Sequence, residues 1–184
     1  MRISLFILWL ILLNACQTQS TPKPRAEIRI DIPTAVYAEI TPNDCTFSFD
    51  QNKISDLKVG RNCQLKIEYP SIKGDLYMTY KAVNGNIESL LSDAQKLSRE
   101  HMIKADNIVE QPYIDPSNTV YGMYYEVIGD AASQAQFYLT DSVQHFLTGS
   151  LYFRTKPNYD SIYPSAVYIQ NDIRVLMESL RWTD

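Results

Sequence analysis

Apolar and polar residues alternate in several short stretches, which is the pattern of half-buried β-strands. In the first half of the chain these stretches are residues 26–32, 45–49, 63–69 and 75–83. In the second half they are residues 119–129, 133–142 and 145–155, which are rich in β-branched and aromatic residues and separated by turn residues. The last three predict an antiparallel meander.

Two further stretches have helical periodicity. Apolar residues recur on one face from Ile87 to Leu97, after the good N-cap residue Asn86, and His101 continues that stripe. A second apolar stripe predicts a helix over residues 165–182, opened by Pro164. The sum is an α+β fold, in which an antiparallel sheet carries two amphipathic helices on one face.

The apolar run at the N-terminus, residues 3–13, is too short for a membrane span, which needs about 20 residues. It has the layout of a signal peptide and ends in Leu13-Asn14-Ala15-Cys16, a lipobox. Cleavage before Cys16 would leave that cysteine diacylated on sulfur and acylated on its new amine. The alternative is an ordinary secreted protein with an accidental cysteine.

The predicted organisation therefore has three parts. Residues 1–15 are a lipoprotein signal peptide, residues 16–25 are the lipidated cysteine and a linker, and residues 26–184 are a single globular domain. Pro22 and Pro24 stiffen the linker.

If Cys16 carries lipid, Cys45 and Cys63 remain as a pair. An exported chain meets an oxidising compartment, so we expect a disulfide between them, joining and pairing the strands 45–49 and 63–69. The alternative is two buried free thiols. Two thiols without a nearby histidine do not make a zinc site.

The formal net charge of −4, without a block of basic residues, argues against nucleic acid as a partner and against electrostatic docking on anionic lipid. The membrane would be reached through the lipid anchor only. Phosphate-binding glycine loops and metal-ligand spacings are absent from the sequence, so we expect no cofactor and no metal.

Catalytic chemistry has one weak candidate, Asp141 with Ser142 and His145. A triad needs an oriented base and an oxyanion hole, and the sequence lacks the G-x-S-x-G elbow. Turn chemistry explains the three residues better, so we expect no enzyme activity. His101 is interpreted as a partly buried helix residue.

Tyrosine is abundant, with 13 residues, many of them on predicted strands. Because Tyr124 and Tyr125 point to opposite faces of a strand, some tyrosines should face outward. Outward tyrosines suit a protein interface or glycan stacking. The alternative is an ordinary sheet surface.

Several segments together resemble the gliding motility lipoprotein GldD family of Bacteroidota. They are YPSIKGDLYMTYK (69–81), LLSDAQKLSREHMIKAD (90–106), QFYLTDSVQHFLTGSLYF (136–153), KPNYDSIYP (156–164) and NDIRVLMESLRW (171–182). The lipobox and the Cys45/Cys63 pair fit as well. The resemblance implies an envelope lipoprotein that is needed for gliding, tied to the type IX secretion system and without catalytic residues.

The best-matched loop, predicted over residues 156–164, supplies a candidate contact segment, although a purely structural loop is an equal alternative. Its residues are Lys156, Pro157, Asn158, Tyr159, Asp160 and Ser161. Since neither an aspartate nor an acidic run follows Cys16, we expect the periplasmic face of the outer membrane, with the inner membrane left open.

The leading hypothesis is an assembly or stabilising subunit that contacts other gliding or secretion lipoproteins and envelope components. The alternative is a periplasmic module that binds glycan or peptidoglycan fragments, and a hydrolase is the weakest hypothesis. By fold-level analogy alone, the elements also allow a Mog1/PsbP-like α/β/α sandwich.

Overall fold

The computed structural model describes residues 31–100, 104–156 and 158–183. Cys16, His101 and Pro157 lie outside these residues, as does most of the predicted strand 26–32. Its last two residues, Asp31 and Ile32, are described and are not in a strand.

The described elements confirm the α+β class. The strands are β1 (Tyr37–Ile40), β2 (Phe47–Asn52), β3 (Asp56–Val59), β4 (Gln64–Tyr69), β5 (Gly74–Ala82), β6 (Ala105–Asp115), β7 (Val120–Gly129), β8 (Ser133–Thr140), β9 (His145–Phe153) and β10 (Arg181–Trp182). The helices are α1 (Ile87–Glu100) and α2 (Tyr159–Ser179).

Seven strands form one antiparallel sheet in the order β3-β4-β5-β9-β8-β7-β6, and β1-β2-β10 form a second, smaller sheet. The predicted meander is confirmed, since β7 pairs with β8 and β8 with β9. Strand β6, which the sequence pattern did not predict, pairs with β7 over nearly its whole length.

The two helices lie on opposite faces of the large sheet, so the prediction that they share one face is wrong. Leu147 on β9 belongs to the core with Ile169 and Ile173 of α2. The next residue, Phe146, packs instead with Leu90 and Ala94 of α1. Because successive strand residues point to opposite faces, the sheet is covered from both sides.

The main core lies between α2, the large sheet and β2. Its largest fully buried side chains include Phe47 and Phe49 from β2 and Ile169 and Ile173 from α2. Gly74 at the start of β5 permits this packing, because a Cβ there would collide with the Ile169 side chain.

The predicted disulfide between Cys45 and Cys63 is present, with the two Cα atoms 5.3 Å apart. The predicted pairing of the two flanking strands is wrong. Strand β2 pairs with β1 and β10, whereas β4 pairs with β3 and β5. The polar connector between the cysteines contains β3, so β4 finds its neighbour there, and the disulfide links the two sheets.

The last helix starts six residues earlier than predicted, at Tyr159. The Asn158 side chain caps it by accepting a hydrogen bond from the Ser161 amide, and the rings of Tyr159 and Tyr163 pack one turn apart. These contacts outweigh Pro164, which lies inside the helix and removes one backbone donor. The helix ends at Ser179, before the predicted residue 182, because Arg181 and Trp182 pair with β2.

Candidate interaction surfaces

The predicted contact segment 156–161 is half loop and half helix. Lys156 and Asn158 are exposed, whereas Tyr159 to Ser161 form the first turn of α2. The Tyr159 amide donates to Asp130 Oδ1 at 2.8 Å, which fixes the start of the helix to the turn between β7 and β8. The segment therefore has a defined conformation at its helical end.

A cleft of about 250 Å³ adjoins this segment, between the turn after β4, the end of β9 and the start of α2. Its lining includes Lys73, Lys156, Ser71, Thr155 and Ser161. Two ammonium groups, several hydroxyl groups and the positive end of a helix dipole together favour a carboxylate or phosphate group from a ligand or partner.

A second surface is the face of β4, β5 and β9 that points away from α2. Tyr77 is 45% exposed there, with its ring 5.8 Å from that of Tyr152 and the Lys66 ammonium 5.2 Å from its centroid. An exposed aromatic ring beside a cation is a common element of protein interfaces.

Ion pairs between charged side chains fix the conformation of this surface. The Lys58 and Lys66 ammonium groups hydrogen-bond Glu68 and lower the pKa of its carboxyl group to about 2. The buried Asp75 is 3.2 Å from Lys66 Nζ and 3.1 Å from Arg154 Nη2. Since Asp75 Oδ1 accepts no well-directed hydrogen bond from residues 31–100, 104–156 or 158–183, the Arg154 contact is mainly electrostatic.

The expectation that Tyr124 or Tyr125 faces solvent is wrong, because both are buried, at 2% and 6% exposure. Both faces of the sheet are covered at β7. Tyr80, Tyr121, Tyr138 and Tyr152 are half-buried. Most strand tyrosines therefore serve packing, and Tyr77 is the exposed exception among those predicted on strands.

The Asp141, Ser142 and His145 group is a turn and does not form a triad. Asp141 Oδ1 accepts the backbone amides of residues 143, 144 and 145 at 2.8–2.9 Å. Burial alone would raise the pKa of Asp141, but these amides hold it below its ordinary value. The His145 ring bonds the Tyr80 hydroxyl through Nδ1 at 2.9 Å and stacks on Trp182.

A buried cluster around Asp172 went unrecognised in the sequence. Its carboxylate accepts the Tyr37 hydroxyl at 2.6 Å and the Asn52 amide at 2.8 Å, and it also bonds Tyr69. Burial raises the pKa of Asp172 despite these donors. The cluster ties β1, β2 and β4 to α2. A signal existed, because residue 172 lies one turn from both Ile169 and Leu176 on the apolar stripe.

Within the described residues, no group of three or more histidine, cysteine or acidic side chains could hold a metal ion. No helix in that part of the chain is long and apolar enough to span a membrane.

Comparison with known proteins gave a family match across most of the chain. The family model described as gliding motility lipoprotein GldD matches residues 17–182. Curated proteins gave no significant match. Among solved structures, the solution structure of cyanobacterial PsbP (CyanoP) from Synechocystis sp. PCC 6803 is similar, with a TM-score of 0.49 and 4% identity over 84% of this chain and 97% of that chain.

Proposed function

We propose that this chain, which belongs to the gliding motility lipoprotein GldD family, is a non-enzymatic assembly or stabilising subunit. It would support gliding and type IX protein secretion through protein–protein contacts. The observation that carries this proposal is the family match, which spans residues 17–182 and therefore the whole described domain.

The geometry adds support from the surface. The exposed Tyr77 with its neighbouring charges and the 156–161 segment beside the cleft are the two docking surfaces in this proposal. The one candidate triad is engaged in a turn, which favours a binding role over hydrolysis. Partners would be other gliding or secretion lipoproteins and envelope components.

The proposed location is the periplasmic face of the outer membrane, with the inner membrane as the alternative. The lipobox at Cys16 supports a lipid anchor, and the proline-containing linker, extended near polyproline geometry, would lift the domain off the headgroups.

A deletion strain tests the role, scored together for gliding and for its secreted proteome. Loss of both, restored by the wild-type gene, is the expected result, with gliding failing because secreted adhesins stay inside the cell. Loss of gliding with an intact secretome would limit the role to the motor or its coupling. A strain with neither defect would refute the proposal.

The second candidate function is a periplasmic binding module for glycan or peptidoglycan fragments. The cleft of about 250 Å³ and the exposed Tyr77 ring favour it. Calorimetric titration with soluble peptidoglycan fragments should then give saturable heats that weaken in Tyr77→Ala. Flat titrations would remove this candidate and leave the first untouched.

A further inference from the structure

Strand β6 is a long edge strand. It has 11 residues and pairs with β7 on one side, and within the described ranges no strand pairs with its other side. Val109 and Ile114 are 36% and 69% exposed on it. An edge of this length presents a row of unpaired backbone donors and acceptors, which is a template for another strand.

Pro112 indicates which backbone groups face outward. Proline lacks an amide hydrogen and fits an edge strand when its nitrogen points away from the neighbouring strand. Residues in an antiparallel pair alternate between inward and outward backbone groups. Glu110 and Ile114, two residues to either side of Pro112, therefore also turn their amides and carbonyls outward.

A pocket of about 100 Å³ opens beside this edge, between β6, β7 and α2. Its lining residues are Gln111, Pro112, Tyr113, Tyr124, Arg174, Met177 and Glu178. Tyr124 is 2% exposed, and its hydroxyl group has no hydrogen-bond partner in the part of the chain that the structure describes. Burial raises the pKa of Tyr124, which stays a neutral phenol.

An orphan hydroxyl of this kind is costly unless something from outside completes it. The nearest cation does not do so. Arg174 lies over the Tyr124 ring, 4.8 Å from its centroid, and bonds Glu126 at 2.6 Å. The pocket thus offers the Glu178 carboxylate to an incoming donor, and the buried Tyr124 side chain forms part of its wall.

The charged residues along β6 and its pocket indicate which kind of partner would bind. Along the edge, Asp106, Glu110 and Asp115 outnumber the one basic residue, Lys104, that directly precedes the strand. In the pocket, Arg174 is already paired with Glu126, which leaves the Glu178 carboxylate. A second copy pairing symmetrically about the middle of β6 would place Glu110 opposite Glu110, which is unfavourable. A basic segment is favoured instead, with one Lys or Arg reaching the pocket.

We propose that β6 is a strand-addition site for an extended, basic peptide segment of a partner protein. Backbone hydrogen bonds to residues 110–114 give affinity, and the Tyr124 pocket selects one basic side chain. This inference rests on the proposed role in protein contacts and names the kind of partner. The two proposals are tested separately, because the phenotype of the deletion strain does not show whether β6 binds a peptide.

The probe is a phage-displayed library of random peptides of about 12 residues, long enough to cover the edge, panned on the full lipidated protein in detergent micelles. We expect enriched sequences with Lys or Arg at alternate positions. The strongest, made synthetically, should bind about tenfold more weakly to Tyr124→Phe and at least about tenfold more weakly to Glu110→Pro. Glu110→Lys keeps the backbone donor, reverses the charge and should also bind more weakly.

Val59→Ala is the control, since it removes an exposed apolar side chain on β3, the opposite edge of the same sheet, and should leave the affinity unchanged. Circular dichroism and thermal unfolding check that each variant folds. If Glu110→Pro does not fold, Glu110→Lys is the variant that tests the contribution of this position. No enriched peptide, or affinity unchanged in both Tyr124→Phe and Glu110→Lys, would overturn the proposal. Binding that arises only after residues 17–30 are removed would also overturn it, because this chain's own segment would then be the occupant.

Discussion

Asp172 and Tyr124 are both buried polar residues on the α2 side of the large sheet, and their surroundings differ. Asp172 has hydrogen-bond donors from three elements, including the Tyr37 hydroxyl at 2.6 Å. Tyr124 has a buried hydroxyl group that finds no hydrogen-bond partner among the described residues. A buried polar group with hydrogen-bond partners stabilises the fold. A buried polar group without a partner destabilises the free protein, and it contributes favourably only when a ligand supplies the missing hydrogen bond.

A pair of tyrosine substitutions tests this contrast. Tyr37→Phe removes a donor from the buried Asp172 carboxylate and should lower the free energy of unfolding by about 1–3 kcal/mol. Tyr124→Phe removes an orphan hydroxyl group and should leave that free energy unchanged or raise it by up to about 1 kcal/mol. Urea denaturation followed by circular dichroism measures both, and each variant is the control for the other.

Equal losses in the two variants would contradict this account, because they would mean that Tyr124 has a hydrogen-bond partner in solution. A water molecule in the 100 Å³ pocket could be that partner.

The secondary-structure elements with a regular apolar–polar periodicity were predicted from the sequence. The elements that form mainly by pairing with a neighbouring strand were not. The meander β7–β9 and helix α1 follow clear periodicities. Strand β6 does not, since ADNIVEQPYID has no alternation and contains Pro112, and it forms because β7 pairs with it. Likewise β3 lies in a polar connector and forms by pairing with the next strand, β4. Strand β10 has two residues and forms by pairing with β2, which is distant in the chain.

The features of the candidate surfaces also divide into those that the sequence predicted and those that it missed. The sequence predicted the disulfide and singled out the 156–161 segment, because both are local or compositional signals. It missed the Asp172 cluster and the Tyr124 pocket, which join residues more than 50 positions apart. The opposite placement of the two helices also depends on strand order, which periodicity does not encode.

The disulfide joins the two sheets, and its loop has a sequence separation of 18. In the chain-entropy model, reducing it should lower the free energy of unfolding by about 3 kcal/mol. Urea titration of the wild type with and without dithiothreitol measures this. The Cys45→Ala/Cys63→Ala variant should start lower and be insensitive to the reductant, and a reductant effect of equal size in that variant would mean that the loss has another origin.

At the scale of the whole molecule, a sheet covered by α2 on one face and α1 on the other leaves limited surface for contacts. The β4–β5–β9 face around Tyr77, the start of α2 and the β6 edge are separate regions of that surface. The proposed assembly role would use these three regions as separate contact sites.

The proposed lipid anchor at Cys16 also belongs to this scale. Cys16→Ala should move the protein from the membrane fraction to the soluble fraction and abolish gliding, because no diacylglycerol thioether forms. Fractionation with immunoblotting and colony spreading measure the two effects. The Cys45→Ala/Cys63→Ala variant should remain in the membrane fraction. A soluble Cys16→Ala protein that supports full gliding would show that the tether is dispensable.

The order of α2 and the strands along the chain has a consequence for how the protein is made. The large sheet is built from residues 56–153, and the helix that covers one of its apolar faces follows only at residues 159–179. During synthesis and export this face therefore stays open until residues 159–179 emerge. Until then the nascent chain presents an exposed apolar surface to its neighbours, so holding chaperones should matter most for a polypeptide that has been made only as far as residue 153.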